Sequence, residues 1–234
     1  GQSGDVDVTE EARSLIQNAV EQYEKPTRKK RGKRRPPVRE EVSSAALAAW
    51  QHLMAGDYEK VIALGAAYKG ALPAELAEVG SRANMMQGIT LSRQARTKDG
   101  EEAGRLFALA AEKFQAAVNI KPDDPHNLSN WGAALSDQAG TKQPEEANRL
   151  FALAAEKYQA ALNIKPDLHD ALYNRACLYS LTGRLKESLN DLKEAISHDA
   201  TYRKIAREDN DFDKLRSDPT LGPEFERLVA EPDA

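Results

Sequence analysis

Two stretches of this chain are almost the same sequence. Residues 101–123, EEAGRLFALAAEKFQAAVNIKPD, return as residues 145–167, EEANRLFALAAEKYQAALNIKPD, identical at 20 of 23 positions with a period of 44. The segments just ahead of them, 87–100 and 131–144, share seven of fourteen positions. A period of this size marks a supersecondary unit that buries its apolar face only against its neighbours, so the chain is read as a stack of repeats.

The repeated unit is helical. In the second copy Leu150, Leu153, Ala154, Tyr158, Ala161 and Leu162 recur at three- and four-residue spacing and draw one stripe along a helix. Lys121-Pro122 and Lys165-Pro166 end each copy, because the residue before a proline is pushed out of helical geometry. The apolar share of 41% is dominated by Ala and Leu and aromatics are only 6%, which favours helix over strand.

Residues 170–199 carry the pattern in shorter form: Leu172, Ala176 and Tyr179, then the turn Thr182-Gly183-Arg184, then Ser188, Leu192 and Ala195. This 34-residue helix pair resembles the tetratricopeptide repeat family, as a bacterial-type array. The 44-residue unit, with Leu128, Trp131, Gly132 and Leu135 followed by Ala154, Tyr158, Ala161 and Pro166, resembles the same pair with a longer hairpin that includes Thr141 to Arg149. A degenerate copy runs from Asn84 through Gly88 and Leu91 to Phe114 and Pro122, and a looser one turns at Ala55-Gly56-Asp57-Tyr58. The resemblance implies an all-α solenoid of stacked antiparallel helix pairs over residues 42–200. Phe212, Leu215, Phe225, Leu228 and Val229 are placed to cap its open end within residues 201–234.

The resemblance also implies a function: a scaffold or adaptor that holds a peptide or helix of a partner protein in a groove walled by successive first helices. The positions carried over are Arg82, Met85, Met86, Ile89 and Arg93, then His126, Ser129, Asn130 and Ala133, then Asp170, Tyr173, Asn174 and Cys177. Asn130 and Asn174 stand where family members use an asparagine amide to hold a ligand backbone, although solvated or capping asparagines would look the same. The cations of the chaperone-tail-binding subclass are missing, since the matching positions are Met85, Ile89, Asn130, Asp170 and Asn174.

Ahead of the repeats, Val8, Ala12, Leu15, Ile16, Ala19, Val20 and Tyr23 form an amphipathic stripe within residues 1–24, a helix short enough to need a surface to dock on. That surface is left open between its own solenoid, a partner and a second copy. Residues 25–41 form a basic, Pro-containing linker. Nine positives (Lys25, Arg28, Lys29, Lys30, Arg31, Lys33, Arg34, Arg35 and Arg39) sit in fifteen residues without one acid, leaving 24 basic against 37 acidic residues elsewhere. A plain linker and a nuclear import signal are compatible with this run, as is weak contact with nucleic acid or anionic lipid, which would make the chain a tether. A regulatory or targeting module of a larger enzyme is the other alternative.

No catalytic constellation assembles: no Gly-rich phosphate loop, nucleophile elbow or HExxH is present. Glu101-Glu102 and Glu145-Glu146 read as acids at helix starts. No cofactor or metal is expected. The lone Cys177 reads as a buried small residue, and one cysteine without a disulfide partner points to a reducing, cytoplasmic setting, with removal of a leader before Gly1 left open.

Overall fold

The computed structural model describes the backbone of residues 37–67 and 72–230, and side chains from residue 45 onward. The amphipathic segment 8–23 and the basic positions Arg28, Lys29, Lys30, Arg31, Lys33, Arg34 and Arg35 lie outside the described residues. The fold is all-α, with no strand among those residues. None of the described helices is long and apolar enough to cross a membrane.

The chain divides into two compact units, residues 1–79 and 80–234. In the first, α1 (Pro37–Met54) and α2 (Tyr58–Ala66) form a helix pair. The first described residue of α1 is Pro37, and proline is tolerated in a first turn, where its missing N–H would have no partner. Ala46, Ala49, Leu53 and Val61 are buried, and the turn between the helices uses Gly56 at φ +76°, the left-handed region glycine enters without penalty. Asp57 accepts from Lys60 at 2.8 Å, which holds its carboxyl below the usual range.

α3 (Ala74–Ala95) leads into the second unit, followed by α4 (Gly100–Ile120), α5 (Pro125–Ala139), α6 (Pro144–Ile164), α7 (His169–Leu181) and α8 (Leu185–His198). These pair as α3–α4, α5–α6 and α7–α8 around a core that contains Phe114, Leu135, Tyr158, Leu172 and Leu192. Lys121 and Lys165 leave their helices with φ near −131° and −132°, outside helical geometry, as expected of residues preceding proline. Asp124 then caps α5, its carboxylate accepting from the His126 and Asn127 N–H groups beside Pro125 in the first turn.

Within each long pair a ring is pressed onto a glycine. A Cβ on Gly88 would stand 2.8 Å from the Phe114 ring, and one on Gly132 would stand 2.8 Å from the Tyr158 ring. The short pair solves the same problem differently. Ala176 occupies the glycine position, Leu192 replaces the ring at the repeat-equivalent position, and both are fully buried.

Nine of the ten additional residues of the long unit are helix rather than loop. α4 and α6 each have 21 residues against 14 in α8, and Ala147 to Arg149 belong to α6. The extra turns are braced by twinned i,i+4 ion pairs, Glu101–Arg105 with Lys98–Glu102 and Glu145–Arg149 with Lys142–Glu146. Thr141 of the second hairpin lies against Gly104 of α4, where a Cβ would be 2.9 Å from its Oγ1. The equivalent position of α6 is followed by the shorter α7–α8 hairpin, and Asn148 there is exposed. Packing thus accounts for one of the three differences between the near-identical copies.

Beyond α8, α9 (Tyr202–Glu208), a 3-10 turn (Asn210–Phe212), α10 (Asp213–Arg216) and α11 (Gly222–Val229) close the stack. Phe212, Leu215 and Phe225 are completely buried, with the two phenylalanine rings 5.6 Å apart.

Gly132→Ala is expected to destabilise the fold by about 1–3 kcal/mol, since the ring must move to admit a methyl group. Adding Tyr158→Leu, the combination of the short pair, should recover part of that loss. Denaturant unfolding of the single and double variants checks both statements.

Candidate partner-binding wall

First helices α3 and α5 run side by side in the same direction, tied at both ends. Near their starts the Asn127 side-chain amide donates to Ser81 Oγ at 2.9 Å, and Ser81 in turn donates to the Ala117 carbonyl. At their ends Arg96 donates to Asp137 Oδ2 from two nitrogens, at 3.0 and 3.3 Å. Between these ties, Met85, Met86 and Ile89 are half-buried on α3, with Asn130 and Ala133 half-buried on α5. Met85 and Ile89 pack inward on the core, so they serve wall and core together. Arg82 is half-buried and Arg93 exposed, and both take part in interactions.

Neither Asn130 nor Asn174 engages a hydrogen-bond partner among the described residues, and both are half-exposed. Their amides can therefore donate and accept toward whatever lies on the wall. His126 is exposed in the first turn of α5, whereas Ser129 points into the protein and is buried.

On α7 the structure departs from the sequence-based assignment. Tyr173 and Cys177 are buried rather than open to a ligand, because the C-terminal segment is laid over this helix. Tyr173 stacks on Tyr202 with ring centroids 4.6 Å apart, and its hydroxyl donates to Asp209 Oδ2 at 2.7 Å. Asp170 is exposed but already accepts from the Tyr202 hydroxyl. Once buried there, the stack end no longer needs another repeat to cover it. The candidate wall is consequently narrowed to α3 and α5, with Asn174 as the outlying accessible position on α7.

The cap also brings together acids that no spacing rule had linked. Asp209 accepts from the Asp211 N–H and from Tyr173, with Cys177 Sγ 3.8 Å away. The Cys177 thiol and the Asp209 and Asp211 carboxylates converge to within 4.8 Å of one another. Burial and the two acids push the thiol well above its ordinary range, so it is held protonated, as a small buried group rather than a nucleophile. Asp211 is pushed up to about 6 by burial and then by Asp209, Asp137 and Asp213. Asp137 is raised by burial as well, with Arg96 offsetting only part of it. These carboxylates, missed in the sequence, make the α5 end of the wall electronegative. The run of four acids from Glu208 to Asp213 was the one available signal.

Residues 119–217, from the last residues of α4 through α10, match the family of plant-specific mitochondrial import receptor subunit TOM20. No curated protein matches the chain. The match supports a tetratricopeptide-like fold and a receptor rather than enzyme family, and it corrects two expectations. The family matched is a plant-specific one, not a bacterial-type array. The cytoplasmic placement is also overturned, since the matching family is described as mitochondrial.

The folded chain binds the Asp211 proton more tightly than the unfolded chain does. Stability should therefore fall as pH rises from about 4 to 6, with the cost fully present above 6. Asp211→Asn is expected to raise stability by about 1 kcal/mol at neutral pH, after allowance for solvent screening, and by nothing below pH ~4. Thermal melts of the two proteins across that range measure the difference.

Proposed function

We propose that this protein is a receptor or adaptor that binds a peptide or helix of a partner protein along the α3–α5 wall. The observation that carries the proposal is the free, half-exposed amide of Asn130 on α5, with Met85, Met86 and Ile89 half-buried on α3 and a second free amide, Asn174, farther along on α7. Apolar side chains give area while the amides engage an extended or helical backbone, and neither requires a reacting group. The match over residues 119–217 to a mitochondrial import receptor subunit supports a partner that is a protein. Methionine adapts to varied shapes, which suits a surface that receives more than one sequence. The carboxylates of Asp137 and Asp211 favour a partner segment carrying positive charge at that end.

Binding of peptides from precursors of imported mitochondrial proteins, followed by fluorescence anisotropy, tests the proposal. Asn130→Ala with Asn174→Ala should weaken binding roughly tenfold, the loss of one or two hydrogen bonds, and Met86→Glu should weaken it at least as much. Unchanged binding in both variants, with thermal melts showing the fold intact, would refute the wall as the site.

A further inference from the structure

The likeness between the repeats is distributed unevenly. α4 and α6 agree at nearly every position, but their first helices do so less: of the 15 residues of α5, only the counterparts of Gly88, Leu91, Ser92, Gln94 and Ala95 match α3. The identity of α4 and α6 extends to places the core does not touch. Arg105, Leu109 and Glu112 are exposed on α4, and Arg149 and Glu156 are exposed at the matching positions of α6 with Leu153 between them. A duplicated segment under packing constraint alone would hold its buried positions and drift on its outer ones. Here the outer stripes are kept, while the first helices differ at ten of fifteen aligned positions.

Each stripe has the same order: an arginine, a leucine four residues on, then a glutamate three further, all on one helical face. Leu109 is 43% exposed, and Ile164, at the far end of the α6 stripe, is 45% exposed. Glu112 and Glu156 take no ionic partner among the described residues. Arg105 and Arg149 pair only within their own helices, with Glu101 and Glu145, in contacts so exposed that little is lost by exchanging them.

We propose that this face binds a second copy of the chain, with α4 and α6 of one protomer each lying antiparallel to the same helix of its partner. An antiparallel crossing centred on the leucines sets Arg105 opposite Glu112 of the partner subunit and Arg149 opposite Glu156 of the partner subunit. The twofold axis runs across both helices at the level of the leucines and completes each crossing with the reciprocal pair. The stripe is self-complementary in this direction and repulsive in the parallel one, where arginine would meet arginine. A twofold interface needs a patch that matches itself, and two copies of such a stripe provide two crossings for one axis. The apolar leucines supply the centre and the charges fix the direction.

Sedimentation velocity on the full chain at tens of micromolar tests this. The wild type should be dimeric. Arg105→Glu with Arg149→Glu should shift the equilibrium toward monomer by roughly tenfold or more, as should Glu112→Arg with Glu156→Arg in a second protein. Mixing these two variants should restore a dimer, a result that a folding defect cannot produce, and Leu109→Glu should weaken association without changing the helical circular dichroism. A wild type that remains monomeric would overturn the proposal. So would a dimer indifferent to both charge reversals, including one held through the amphipathic segment 8–23.

Discussion

The seating of a ring on a glycine governs the geometry of this molecule. Phe114 on Gly88 and Tyr158 on Gly132 let paired helices approach more closely than any side chain at the glycine position would permit. That approach places Ser81 within reach of the Ala117 carbonyl, and the same tight packing leaves Tyr158 without solvent contact. Protein interiors are close-packed, so a change of one methyl group at such a point is passed along the helices rather than absorbed. The third pair meets the same requirement with a slightly larger residue facing a smaller one.

The C-terminal cap does more than shield apolar surface. Closing the stack with Phe212, Leu215 and Phe225 draws the Asp209–Asp211 segment over α7, which removes Tyr173 and Cys177 from the wall and sets acids beside Asp137. A stabilising feature and an electrostatic one therefore share one segment. Raised carboxylates such as Asp211 cost stability, and charge held at such a cost marks places where a partner of opposite sign gains most. The cap limits the wall at one end and sets its sign there.

The inner and outer faces of the second unit are under different demands. Over the fifteen aligned positions 81–95 and 125–139, first helices α3 and α5 differ at ten, and the five they share lie in the half that carries the glycine under the ring. Second helices α4 and α6 are twins even where exposed. Ion pairs along the added turns, Glu101–Arg105 and Glu145–Arg149, show how the long hairpins are kept helical while their side chains remain in water.

Helix pairing, its period and the ends of its helices were legible from residue order alone, because proline, glycine and the spacing of apolar residues act over a few neighbours. Gly56, Gly183 and the two Lys-Pro exits behave as their local chemistry demands. Asn130 and Asn174 were identifiable for the same reason, as polar residues at a periodic position. What residue order did not determine was which wall positions stay open. Tyr173 and Cys177 fit the first-helix pattern as well as Asn174 does, yet they are covered by a segment more than thirty residues later in the chain. The partnership of Arg96 with Asp137, and of Asp211 with Asp209, Asp137 and Asp213, likewise had no sequence signature. Burial and electrostatics are decided by what folds back over a helix, and that is settled only by tertiary structure.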